Sequence, residues 1–244
     1  MQQFEIKEKA SLFEIAGQTI SFSNSALWMI VSGILIVGFF ALTLRGKLIP
    51  GRLQSMGELS YQFISDMIRD TTGQEAMKFL PFIFTLFFFI LAANLIGMNP
   101  YAFTTTSHLA VTFTLAIMTI SIVIIAGIWK NGLSWFKIFA PSGLPLIMYI
   151  LIIPIEVISF IARPVTLAVR LFANMVAGHV MLKLFAIFAA YLVAKGGVFI
   201  GAAILPIVGV MGIAALEFLV AALQAFVFAI LTCIYLNDVY HVHH

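Results

Sequence analysis

Charge is what this chain has least of. Its 244 residues hold only 13 Lys and Arg and 10 Asp and Glu, 9% of the total, against 62% hydrophobic residues and a mean hydropathy of +1.11. A soluble domain carries about 25% charged residues, so this composition predicts an integral membrane protein. Cysteine is nearly absent too. The lone Cys233 excludes an internal disulfide and a cysteine-built metal centre. No Gly-rich phosphate loop, no Cys/His metal spacing and no Ser/His/Asp arrangement is visible, and no metal or cofactor is expected. The formal net charge of +3 is small and scattered near the ends of apolar runs, where basic residues anchor to headgroups. It does not point to nucleic acid. Residues 1–24 lack the basic start and apolar core of a signal peptide, which suggests synthesis without a cleaved leader, in a bacterium or from an organelle genome.

What is abundant is apolar sequence in long runs. Residues 25–44 form a first predicted span, long enough for a hydrocarbon core of about 30 Å. The stretch 1–24 before it is polar enough to lie at a surface. Residues 50–75 interleave charge with Leu53, Met56, Leu59, Phe63, Met67 and Ile68 at helical spacing, predicting an amphipathic surface helix. The Lys and Arg excess over the wider stretch 45–78 (Arg45, Lys47, Arg52, Arg69 and Lys78) assigns that side to the cytoplasm or matrix and the N-terminus to the opposite side. Residues 79–129 read as a transmembrane hairpin turning through Ala102–His108, which carries no Lys or Arg. Residues 146–236 hold two runs too long to stand upright. As one helix, Leu146 to Val193 would extend about 72 Å, more than twice the core thickness. It either breaks near Pro154 or Pro164 or lies strongly tilted. Gly196-Gly197 makes the turn into the second run.

Within the first long run lie Glu156, Arg163, Arg170, Asn174, His179 and Lys183. An ionisable group deep in hydrocarbon costs about 2.5–3.5 kcal/mol on insertion scales, so each must be paired, hydrated or used. A step of seven is two helical turns less about 20°. Glu156, Arg163 and Arg170 therefore share one stripe with Asn174, whereas His179 and Lys183 point elsewhere. On the second run Glu217 and Gln224 are also seven apart. A guanidinium does not lose its proton in proteins, so Arg170 is a fixed charge that attracts a carboxylate and repels a passing cation. The blander alternative makes it a structural partner of Glu156 or an interface anchor. His179 and Glu217 are the titratable pair, suited to proton exchange or simply to locking two helices together. Arg163 and Glu156 read as a structural or access-path pair. Asn174 and Gln224 read as polar lining or interhelical glue. His108 sits in a loop, and the tail histidines His241, His243 and His244 as a solvated end rather than a metal site.

These residues also carry a resemblance. Arg170-Leu171-Phe172-Ala173-Asn174-Met175, followed by Ala177-Gly178-His179, is similar to the signature of subunit a of the F-type ATP synthase. Asn94-Leu95-Ile96-Gly97-Met98, Pro100-Tyr101, Thr106-Ser107-His108, Leu223-Gln224-Ala225-Phe226 and Tyr235-Leu236-Asn237-Asp238 match in the right order. The resemblance implies an all-α integral membrane fold whose last two helices form a long hairpin, strongly tilted along a rotating ring of c subunits. It implies a non-catalytic stator subunit of an energy-transducing inner membrane, with the c-ring, a b-type peripheral stalk and the lipid bilayer as partners. Two offset half-channels would reach the ring carboxylates, with Arg170 separating them and Asn174 and Gln224 beside it. His179 and Glu217 would form the outer relay and Glu156 would mark the opposite access path. The His-then-Glu order resembles mitochondrial and alphaproteobacterial members.

Two other classes compete. A proton-coupled secondary transporter also uses buried Arg, Glu and His, but usually shows internal repeats, and none is convincing here. A haem-bearing redox subunit needs paired intramembrane histidines, and only His179 lies deep in an apolar run.

Overall fold

Among the described residues, five helices are long and apolar enough to cross a membrane. The computed structural model describes residues 8–15, 18–43, 51–99, 102–139 and 146–240. Helix α1 (Asn24–Thr43) is followed by α2 (Arg52–Thr72) and a 3₁₀ segment over Gln74–Phe79. Then come α3 (Leu80–Gly97), α4 (Leu109–Asn131), α5 (Leu146–Lys195), the single turn α6 (Phe199–Ala202) and α7 (Ile204–Tyr240).

The packed core is built on α7, which meets α2, α3, α4 and α5. Its residues Ala221, Ala225, Phe228, Ala229, Thr232, Cys233 and Leu236 are all buried. They recur at the helical spacings of three and four that put side chains on one face. The small residues at 221, 225 and 229 let neighbouring helices come close, as membrane helices do without a hydrophobic driving force. Polar staples complete the contacts. Thr72 donates from Oγ1 to the Cys233 carbonyl (2.9 Å), Asn131 from Nδ2 to the Val239 carbonyl (2.6 Å), and Asn94 from Nδ2 to the Ala221 carbonyl (3.3 Å). Lys130 and Glu75 form an ion pair at the same end of the bundle as Asn131. In a medium without water each such group needs a protein partner.

The first long run does not break. Helix α5 is continuous over 50 residues with Pro154 and Pro164 inside it. Each proline removes one i→i−4 bond, at the carbonyls of Ile150 and Phe160, and the ladder resumes beyond. Gly196 (φ 69°) and Gly197 (φ 59°) then reverse the chain in the left-handed region that glycine adopts without strain.

Two features differ from the reading of residues 1–75. The stretch read only as polar surface sequence is extended over residues 8–15 and 18–23. Strands β1 (Glu8–Ile15) and β2 (Gln18–Ser23) pair antiparallel, with register shifts between Glu8 and Ala10 and between Ser11 and Phe13. The alternation Thr19-Ile20-Ser21-Phe22-Ser23 is the period-two pattern of a strand, short enough to pass for surface sequence. The second difference concerns α2. It is amphipathic, but its apolar residues divide along its length. Leu53, Met56, Leu59 and Phe63 are exposed, while Ile64, Met67 and Ile68 are buried in the core. The basic residues Arg45 and Lys47, the Pro100-Tyr101 pair, the 140–145 turn and the tail histidines lie outside the described residues.

Candidate functional site

The polar residues of α5 and α7 meet in pairs that step forward on one helix as they step back on the other. Arg163 Nη1 lies 3.0 Å from Asp238 Oδ2, Asn174 Nδ2 donates to Gln224 Oε1 at 2.9 Å, and His179 Nδ1 approaches Glu217 Oε1 at 3.4 Å. Helical phase puts Asn174 and His179 on different sides of α5, yet both reach α7.

The Arg163 partner corrects the sequence reading. Its carboxylate is Asp238 rather than Glu156, and its guanidinium lies 5.0 Å from the Tyr235 ring centroid and 5.7 Å from that of Phe160. A planar, weakly hydrated cation suits such a half-buried place between aromatic rings and a carboxylate. Glu156 is half-buried one stripe position earlier.

Arg170 stands apart. It is exposed on α5, and among the described residues no carboxylate lies within ion-pair distance of it. Large apolar residues of both helices are exposed as well, among them Val165 and Val169 on α5 and Leu219 and Leu223 on α7. Asn174, one turn on, is exposed as well, while its partner Gln224 is buried. Buried Tyr235 lies within electrostatic reach of both Arg163 and Arg170.

Behind this face is a buried polar cluster. His179 and Glu217 are 5% and 3% exposed, which matters because charge at such a depth survives only with a partner. Their 3.4 Å approach is close enough for an ion pair and too long for a well-formed hydrogen bond. The other ring nitrogen, His179 Nε2, lies 3.0 Å from Thr104 Oγ1, and that hydroxyl is also 3.0 Å from the Gly97 carbonyl. The Ser107 hydroxyl holds the Thr104 carbonyl at 2.6 Å. Thr104, Thr105, Thr106 and Ser107 are all buried, so the α3–α4 connection folds into the protein. Two glycines make room for this cluster. A Cβ at Gly178 would stand 2.9 Å from Glu217 Oε1, and one at Gly97 would stand 2.7 Å from Thr104 Cγ2. Lys183, one turn beyond His179, acts on it electrostatically.

His108 occupies the N-cap position of α4, without a side-chain hydrogen bond to the helix end, and stacks on Phe103, with ring centroids 4.9 Å apart and planes 12° apart. Burial pushes its pKa below the ordinary value of 6.5, because an apolar setting disfavours the charged imidazolium.

Sequence reasoning passed over Thr104, Gly178 and Asp238. Asp238 and Gly178 lie inside quoted motifs, but their significance depends on what sits opposite. Thr104 is one of three consecutive threonines, and nothing in the run distinguishes it. Among the described residues, no group of three or more His, Cys, Asp or Glu side chains is placed to hold a metal ion.

Comparison with known proteins places the chain in a family. A family model described as "ATP synthase A chain" matches residues 26–237. The protein named ATP synthase subunit a from Hyphomonas neptunium is 55% identical over 242 residues, covering 99% of this chain and 95% of that one. Its counterpart from Mesorhizobium japonicum is 50% identical over 245 residues, covering 100% and 97%. That from Nitrobacter hamburgensis is 48% identical over 244 residues, covering 100% and 98%. With such coverage and five apolar helices, the chain is a membrane protein that belongs to the ATP synthase subunit a family.

Proposed function

We propose that this chain is the proton-conducting stator subunit of an F-type ATP synthase. The observation that carries the proposal is Arg170, a permanent charge exposed on an open apolar face. Left against lipid, a guanidinium at mid-helix is unfavourable by several kcal/mol. Opposite a ring of carboxylate-bearing helices it gains a partner, and the apolar residues around it gain a surface to slide on. The long helices α5 and α7 then lie as a tilted hairpin along that c-ring, because about 75 Å of α5 cannot cross the bilayer upright.

In this reading the deprotonated ring carboxylate is drawn to Arg170 and cannot pass while charged. Arg170 cannot take or give a proton, so it separates two access routes rather than joining them. His179 and Glu217 exchange the proton on the outer side. Asn174 and Gln224 supply neutral hydrogen-bonding groups beside the arginine, and Glu156 marks the route to the other side. Arg163, tied to Asp238, anchors the C-terminal end of α7 to α5 next to that route. One proton crossing about 100 mV releases roughly 2.3 kcal/mol, so a rotor that collects several steps suits a product needing more. The chain itself does no covalent chemistry. It sits in an energy-transducing inner membrane with its N-terminus outside and its C-terminus in the cytoplasm or matrix, beside a b-type peripheral stalk.

The test is Arg170→Ala in inverted membrane vesicles carrying the assembled complex. ATP-driven acidification is expected to disappear while ATP hydrolysis continues. Coupled pumping at the wild-type rate would overturn the assignment.

A further inference from the structure

The buried hydroxyl of Thr104 has no role in the reading above. It contacts two groups at once: the Gly97 carbonyl and His179 Nε2, each at 3.0 Å. A threonine hydroxyl has one proton to donate, so only one of the two can receive it. Gly97 is the last residue of α3, and its carbonyl is among those a helix end leaves without an intrahelical partner. If the hydroxyl turned to His179, that carbonyl would lose the donor and stay buried. If it donates to Gly97, its oxygen is free to accept from the ring, and every group is satisfied. Buried polar groups strongly favour the satisfied arrangement.

We infer that Thr104 is a positioning residue that fixes the neutral His179 ring as the Nε2–H tautomer and so turns His179 and Glu217 into a seat for one proton. The consequence follows at Nδ1. With the ring proton on Nε2, Nδ1 presents a bare lone pair to Glu217 Oε1 at 3.4 Å. A lone pair facing a carboxylate oxygen at that distance is repulsive unless a proton lies between them. That proton sits either on Glu217, as a carboxylic acid donating to Nδ1, or on Nδ1, as an imidazolium facing a carboxylate. Both forms have the same net charge, so the proton moves between them within one ion-paired unit and the net charge of the buried cluster does not change. This inference rests on the proposal that His179 and Glu217 form the relay.

Few other charges face the pair. From α5 itself Lys183 acts on His179. Helix α7 contributes only Glu217 at this level, since Asp238 is engaged with Arg163. Helix α3 carries no ionisable residue, α4 carries only Lys130 at its far end, and the connection between them carries His108.

The test compares Thr104→Val, which keeps the shape and removes the hydroxyl, with Thr104→Ser, which keeps the hydroxyl. Potential-driven proton flow is measured in membrane vesicles stripped of the peripheral ATPase, from neutral to alkaline pH, and normalised to the amount of this chain. In Thr104→Val the ring is released to the Nδ1–H tautomer, which donates to ionised Glu217 and stabilises the emptied seat. The alkaline limb of the profile is expected to move toward acid by roughly half to one pH unit, the span of one hydrogen bond. Thr104→Ser should restore the wild-type profile. An unchanged profile in Thr104→Val, with flow abolished in His179→Gln and Glu217→Gln, overturns the tautomer assignment and leaves the relay standing. Wild-type flow in both of those variants overturns the relay itself. If Thr104→Val fails to assemble, nitrogen NMR of the histidine rings in the intact wild-type complex decides, with His179→Gln identifying the signal. A protonated Nε2 and bare Nδ1 are expected, and the reverse tautomer refutes the inference.

Discussion

Replacing Gly178 by Ala adds a single methyl group where the structure has no space for one. The new Cβ would lie 2.9 Å from Glu217 Oε1, 3.0 Å from Cδ and 3.2 Å from Cγ, so the whole carboxyl end must give way. Glu217 is buried, and overpacking of this kind costs about 1–3 kcal/mol. Against that, alanine is favoured over glycine inside a helix by about 1 kcal/mol. The net destabilisation is therefore about 0–2 kcal/mol, small enough for the subunit to assemble. Transport is another matter. Relief of the clash moves the carboxylate relative to His179 or spreads α5 from α7, and a misplacement near 1 Å lowers rates by up to about 100-fold. Proton flow through stripped vesicles, divided by the abundance of the subunit, should fall by roughly 10- to 100-fold. Gly212 is the control, since nothing lies within 4 Å of a Cβ there. Gly212→Ala should conduct normally. Flow in Gly178→Ala within about twofold of wild type at equal abundance would show that the His179–Glu217 geometry does not limit transport.

Three further outcomes follow from the described contacts. A double-mutant cycle over Arg163→Ala and Asp238→Ala, read from thermal unfolding in detergent, should give a coupling of about 1 kcal/mol for a half-exposed pair. A cycle over Arg163→Ala and Glu156→Ala should give none. Exchanging the relay residues, His179→Glu with Glu217→His, should retain more proton flow than either single change, since the pair stays complementary; equal or greater loss in the double variant argues against a coupled pair. Burial lowers the pKa of His108, so below the ordinary value of 6.5 the unfolded chain binds the proton more readily. Stability should thus fall as pH drops below about 6.5, and His108→Gln should flatten that decline in a thermal-shift series.

The membrane class and the first three spans were open to view because scarce charge and span length act through composition alone, whereas the two long runs could be counted as two helices or as four. The same length argument showed that Leu146 to Val193 cannot stand upright, yet it left a break at Pro154 or Pro164 as an equal choice. Two missing hydrogen bonds among dozens do not interrupt α5, and no local rule foretells that. Arg163 was read with Glu156 because periodicity relates residues on one helix. Its carboxylate partner comes from α7, which only the packing brings near. Gly178 and Gly97 carry no local signal, since the atoms they make room for belong to Glu217 and Thr104. The N-terminal strand pair was overlooked for the opposite reason. Its alternation is present in the sequence but spans too few residues to stand out beside a mixed polar stretch.

The continuity of α5 has one more consequence. A single rod fixes spacing along its axis, so Glu156, Arg170 and His179 are marks on a ruler. At 1.5 Å per residue Glu156 lies about 21 Å before Arg170 and His179 about 13 Å after it. Neither interval is adjustable by loop motion, because no loop intervenes between Leu146 and Lys195. An insertion or deletion of one residue between these marks would turn every later side chain by about 100° and leave the pairs with α7 out of phase. The helix is thus intolerant of any change in length between these marks.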